Sequence, residues 1–256
     1  MSEMAGAAAG RAGAGAGADA GAGAGADAGA AGAGGGVGAT GAGADAGAPA
    51  SGNGAVGAAC DDVVFDHVCK SYGDNRVLRD VTFRLPGGGV TCLMAPSGSG
   101  KTTLFRVLLG LEDAESGSIT GVRAGEVSMM FQEDRLCETL TPVENVALVL
   151  PPATRRADVQ RLLERILPAD CMDRPAMQLS GGMRRRVSLA RAVAFPSKMI
   201  VLDEPFTGLD AATKRTVVDF LLAELRGRTL LVATHGDADA ELLGGRRVSL
   251  ADVSAA

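Results

Sequence analysis

Two stretches of this chain hold side chains whose types and order suit the handling of a phosphate group. The first, Ala95-Pro96-Ser97-Gly98-Ser99-Gly100-Lys101-Thr102-Thr103, fits the Walker A phosphate-loop pattern except at its first position, where Ala95 replaces glycine. Gly98 and Gly100 let backbone N–H groups turn inward around phosphate oxygens, and a helix starting just after them adds its dipole. Lys101 would reach the β and γ phosphates, and Thr102 would ligate Mg²⁺. An ordinary Ser/Gly turn with an exposed lysine is the plainer account of the same residues. If position 95 demands a positive φ, an alanine there costs about 1 kcal/mol or more. The second stretch, Met199-Ile200-Val201-Leu202-Asp203-Glu204-Pro205, sets two carboxylates directly after a run of apolar residues. Asp203 would hold Mg²⁺, directly or through water, and Glu204 would polarise an attacking water. Two acids in a solvated turn before a proline are the alternative, weakened by the four apolar residues that bury what precedes them.

These residues need elements that hold them at one place. Val63 to Val68 and Val81 to Leu85 read as strands around a Tyr-Gly-Asp-Asn turn at 72–75, an antiparallel opening. A buried strand is expected over Val90 to Ala95, followed by the glycine loop and a helix with Leu104, Val107, Leu108 and Leu111 on one face. Val127 to Phe131 reads as another strand. From Glu133 to about Phe195 the spacing turns helical, with Val159, Leu162, Leu163, Ile166 and Leu167 forming one apolar stripe. Met199 to Leu202, Leu230 to Ala233 and Val248 to Leu250 are further strands. Ala211 to Leu225 reads as a helix with Val217, Val218, Leu221, Leu222 and Leu225 inward and Gly227 beyond its end. Continuous apolar strands alternating with helices predict a mainly parallel sheet covered on both faces. In such a sheet ligands bind at the C-terminal ends of strands, where Asp203 and the glycine loop both fall.

Composition excludes several other classes. Gly and Ala fill three quarters of residues 1–60, and the few apolar side chains there cannot offset the entropy of ordering a Gly-rich chain, so this segment is expected to be a disordered tail. The 256-residue chain has a formal charge of −5, and the tail carries four acids against one arginine, which leaves the remainder close to neutral. That balance gives no reason to expect nucleic acid as a partner. No run approaches the roughly 20 apolar residues of a membrane span. Five scattered cysteines form no CxxC pair, which argues for reduced thiols and against a zinc site.

Between the two phosphate stretches lies Leu179-Ser180-Gly181-Gly182-Met183. It resembles the signature motif of ATP-binding cassette (ABC) proteins, with Met183 where the family usually has Gln; Ser180 is also a good N-cap for a helix through Arg191. Arg184, Arg185 and Arg186, just beyond, read most simply as a solvated or salt-bridged helix face. Other positions match the family's pattern in order. Gln132 corresponds to the Q-loop, which in the family touches Mg²⁺ and water. Gly208-Leu209-Asp210 corresponds to the D-loop, although Asp210 could equally cap the next helix. His235 corresponds to the switch histidine at the γ-phosphate. Tyr72 lies where the adenine-stacking aromatic falls, although a tyrosine in a hairpin turn is often only packing. The other histidine, His67, is expected on a strand surface.

The resemblance implies an α/β P-loop NTPase cassette over residues 61–254, with a RecA-like parallel core, an antiparallel β subdomain and an α-helical subdomain at about 133–195. It implies an ATPase using ATP and Mg²⁺. Lys101, Gln132, Glu204 and His235 would be catalytic, and Thr102, Gln132 and Asp203 would surround the metal. Tyr72, residues 95–103 and Asp210 would bind nucleotide, with Ser180, Gly181 and Gly182 contributed across a head-to-tail dimer by a second copy. Integral membrane permease subunits, and for import an extracytoplasmic substrate-binding protein, are the implied partners, with the chain cytoplasmic and peripheral on the inner face of the cell membrane. The run Phe131 to Leu136 and the stretch Leu140 to Val146 are similar to the ATPase subunits of nitrate, sulfonate and taurine importers, which points to a small-anion importer. An efflux ATPase, a cell-division type ABC ATPase, or a nucleotide-binding partner without efficient turnover are the alternatives.

Overall fold

A computed structural model describes residues 60–96 and 98–254. The Gly/Ala segment before Cys60 lies outside the described residues, as does Ser97.

The described residues build two sheets. β1 (Val63–Tyr72) and β2 (Asn75–Leu85) form the expected hairpin, running from Val63 opposite Leu85 to Tyr72 opposite Asn75 with register shifts between Phe65 and Ser71. β4 (Ser116–Thr120) pairs on the other side of β1, giving the antiparallel order β2-β1-β4. Sequence reasoning missed β4 because Ser-Gly-Ser-Ile-Thr has almost no apolar side chain to alternate. Its Gly117 has φ +82, and a Cβ there would stand 2.3 Å from the His67 carbonyl, so the close approach of the strands requires glycine.

The second sheet is parallel throughout, in the order β5-β6-β7-β3-β8. Its strands are β3 (Val90–Met94), β5 (Val127–Met130), β6 (Met199–Asp203), β7 (Thr229–Thr234) and β8 (Arg246–Ser249). Successive side chains leave opposite faces of a strand. Ile200, Leu202, Leu230 and Val232 therefore enter a core shared with the helices, whereas Met199, Val201, Leu231 and Ala233 enter one shared with the antiparallel sheet. Both faces are covered, as the continuous apolar runs require.

The helices are α1 (Lys101–Leu108), α2 (Pro142–Ala147), α3 (Arg156–Glu164), α4 (Gly181–Ala194), α5 (Ala211–Glu224) and α6 (Asp237–Leu243). The region expected to be helical from Glu133 to Phe195 is three helices joined by loops, because local capping interrupts it. Thr141 caps α2 reciprocally with Glu144, with Pro142 in the first turn. The buried Asn145 side chain satisfies the Cys137 N–H and the Cys137, Leu140 and Thr141 carbonyls of the preceding loop. The apolar stripe of α3 holds at Val159 and Leu163, while Ile166 and Leu167 are buried beyond its end. On α5, Leu222 is 37% exposed and Phe220 takes the inward place expected for it.

Candidate functional site

Four strand ends converge at one edge of the parallel sheet. The loop after β3 begins at Ala95, β6 ends in Asp203, β7 leads through Thr234 to His235, and Gln132 follows β5. All are C-terminal strand ends, where an α/β sheet opens its crevice. Gly98 has φ +80, and Gly100, the N-cap of α1, has φ +91. A Cβ on Gly100 would meet Val77 Cγ1 at 3.0 Å and the Val77 carbonyl at 3.1 Å, so glycine lets the hairpin press against the loop. Ala95 is absent from the residues with positive φ. Its backbone makes no demand that alanine fails to meet, and the expected penalty does not arise. No side chain caps the first turn of α1, and that turn carries no acid, so its N–H groups remain available to an anion.

A cavity of about 400 Å³ opens here, lined by Gly98, Gly100, Lys101, Thr102, Thr103, Gln132, Asp203, Glu204 and His235 together with Val77 and Thr207. The Lys101 ammonium donates to the Ala95 carbonyl at 2.7 Å and stands 3.5 Å from Glu204 Oε1. His235 Nδ1 lies 2.9 Å from Glu204 Oε2. Glu204 therefore has a cation on one oxygen and an imidazole on the other, with its side chain only 12% exposed. Its φ of +51 is a left-handed conformation costly for a side chain with a Cβ, and its N–H is tied to the Ala233 carbonyl at 2.9 Å. Burial pushes the Asp203 carboxyl pKa up, against the pull of Lys101 and Arg185. Among the described residues no group of three or more His, Cys, Asp or Glu could hold a metal by itself. Asp203, the Thr102 hydroxyl and the Gln132 amide face one cavity and offer the hard oxygen donors that suit Mg²⁺, with phosphate oxygens and water completing its shell.

The family model described as ABC transporter matches residues 78–207, from β2 to the loop after β6. The chain belongs to the ABC transporter family. An aliphatic sulfonates import ATP-binding protein of Pseudomonas savastanoi pv. phaseolicola is 37% identical over 179 residues, which cover 69% of this chain and 75% of that one. A sulfate/thiosulfate import ATP-binding protein of Escherichia coli K12 is 38% identical over 202 residues, 71% of this chain but only 55% of that protein. This chain thus spans about half the length of that relative. The fold aligns with an ATP-binding cassette solved as a dimer in a post-hydrolysis state with ADP and Pi, at a TM-score of 0.65 and 27% identity over 73% of this chain and 93% of that one. This ABC ATPase has the cassette's parallel core, antiparallel sheet and helices.

Within the cassette, several expected site residues stand apart from the cavity. Ser180 caps α4, accepting from the Met183 N–H at 3.3 Å, and it and Gly181 are exposed. A Cβ on Gly182 would stand 3.6 Å from Leu209 of the D-loop stretch. Asp210 spends its carboxylate on the Ala212 and Thr213 N–H groups and the Thr213 hydroxyl, which hold its pKa below the usual range; its capping role is the one present. Tyr72 is 45% exposed at the end of β1, its hydroxyl on Glu112 and Lys70 over its ring, and it does not line the cavity. Pro96 is exposed, and its carbonyl accepts from the Ser99 N–H and hydroxyl.

Of the two expectations for the arginine run, the salt-bridged one holds at Arg184, which pairs with Asp134 and Glu138, and at Arg185, which pairs with Asp134. The solvated one fails for Arg185: it is 6% exposed and its guanidinium also donates to backbone carbonyls at the ends of β5 and β6. Three arginines in a row carry no signal of which one turns inward. Among the described residues no helix is long and apolar enough to cross a membrane.

Proposed function

We propose that this ABC ATPase is the ATP-hydrolysing subunit of a small-anion importer, working as two copies head to tail beneath separate membrane permease subunits. The observation that carries the hydrolytic part is the meeting of Lys101, Asp203, Glu204 and His235 in one cavity at the strand ends. Lys101 binds the β and γ phosphates, releasing its present contact with Ala95. Glu204 orients the attacking water and accepts its proton, and His235, paired with Glu204, faces the γ-phosphate. Mg²⁺, near Asp203, Thr102 and Gln132, would offset the charge of the phosphates. Tyr72 contributes an aromatic face for the adenine. Ser180, Gly181 and Gly182 meet the γ-phosphate of the nucleotide on a second copy. Closure on ATP and reopening after hydrolysis then move the permease.

The first test is Glu204→Gln with ATP binding and turnover measured together; binding without turnover is expected, and undiminished hydrolysis removes Glu204 from its role. The sulfonate and sulfate relatives support the choice of cargo. Deleting the gene is expected to abolish growth on an aliphatic sulfonate or on sulfate as sole sulfur source, with rescue by the wild-type chain. Unchanged use of both would overturn the small-anion reading while leaving the ATPase intact. A substrate-binding protein encoded beside the permease supports import, and a permease alone supports efflux.

A further inference from the structure

Arg185 is the fifth residue of α4, the helix that Ser180 caps and whose first turn holds the end of the signature stretch. Its side chain leaves that helix and ends between two strand ends. Nη1 donates to the Phe131 carbonyl at 3.2 Å, to the Gln132 carbonyl, and to Asp134 Oδ1 at 3.3 Å. Nη2 donates to the Asp203 carbonyl at 2.9 Å and to the Glu204 carbonyl. The Nε–H has no partner among the described residues. A guanidinium 6% exposed is costly to desolvate, and it persists because its planar fork spans two groups of acceptors that no ammonium could reach together.

The two carbonyls on Nη2 are successive, and the second belongs to the residue with φ +51. Arg185 thus binds the carbonyl of a residue in a strained left-handed conformation, alongside the Ala233 carbonyl that takes its N–H, and the carboxylate of that residue meets Lys101 and His235. On the other nitrogen it fixes the carbonyl of Gln132, which lines the same cavity.

We infer that Arg185 is a positioning residue for hydrolysis, one that sets the Glu204 carboxylate against Gln132 and makes their spacing depend on α4. It touches neither nucleotide nor the reacting atoms. Any tilt of α4 as its N-terminus meets the second copy's phosphates would be transmitted through one rigid side chain to the attacking water. The inference rests on the hydrolytic reading of Glu204.

The test uses the full chain with Arg185→Lys and Arg185→Met, each alone and combined with Glu204→Gln, measuring kcat, KM, affinity for a non-hydrolysable ATP analogue and Tm. Arg185→Lys keeps the charge but satisfies only one group of carbonyls, so kcat is expected to fall about 100-fold, the scale of a small misplacement, with analogue affinity and KM within about threefold. In the Glu204→Gln background neither substitution should lower the residual rate further, since the side chain it positions is already gone. Loss of Tm and analogue binding in step with turnover would mean that Arg185 only supports the fold, and the inference fails. Wild-type kcat in Arg185→Lys, or a full further loss in the double variant, also overturns it. If Glu204→Gln itself hydrolyses normally, the hydrolytic reading is what fails.

Discussion

The cassette carries two loops suited to phosphate, and they are finished to different degrees. In the loop after β3, Lys101 is already engaged by Ala95 and Glu204, and strands β5, β6 and β7 deliver the other groups to the same cavity. The Ser180 hydroxyl accepts from the Met183 N–H, yet Ser180 and Gly181 are exposed and the stretch is not part of the cavity's lining. One loop is a half-site with its chemistry attached. The other has only a helix end and two glycines, and in the proposed function a second copy brings it the phosphate.

That contrast breaks most readily on turnover. Glu204→Gln should lower kcat at least about 100-fold with ATP still bound, the scale of a lost general base; equilibrium nucleotide binding and phosphate release measure the two parts. Gly181→Asp probes the unfinished loop. A Cβ at Gly181 meets nothing within 4 Å, and an acid in the first turn of α4 suits the helix dipole, so Tm should hold or rise. Turnover and ATP-dependent dimerisation should nevertheless fall about 100-fold, because the new carboxylate would face the second copy's phosphates; calorimetry beside analytical ultracentrifugation separates the effects. A variant that hydrolyses normally would mean the stretch binds no phosphate.

A third change sharpens the difference in charge. Burial raises the Asp203 pKa, so the fold carries that carboxylate at a cost, and this group's contribution to stability is greatest at low pH and is lost as pH rises through its folded pKa. Asp203→Asn should therefore raise Tm at neutral pH while Mg²⁺-dependent turnover disappears, and the Tm gain should shrink as pH falls. The smallest change in stability is expected from Ser180→Ala, about 1 kcal/mol for a lost N-cap, read by denaturant unfolding of the chain without nucleotide.

What could be read in advance follows the same division. Lys101, Asp203 and Glu204 were legible because a glycine loop and an apolar strand announce where the chain must end and turn, and His235 and Gln132 because they follow strands in the family's order. Arg185 was not, since its role lies in carbonyls contributed by residues 18 to 54 positions away, and carbonyls leave no trace in side-chain type. Val77 and Thr207 line the cavity through tertiary placement alone. The strand β4 was hidden by its polarity, whereas β6, buried at every residue, could hardly be missed. The helical region misled because periodicity persists across loops that Asn145 and Thr141 organise locally.

Ala95 is 4% exposed, it lacks the left-handed backbone that would call for glycine, and its contribution to the loop is a carbonyl that any residue could supply. The first position of this phosphate loop thus accommodates a methyl on ordinary backbone, whereas Gly100 combines a φ of +91 with a neighbour, Val77, that a Cβ would press upon. Of the two positions, only the second ties the residue type to the path of the chain.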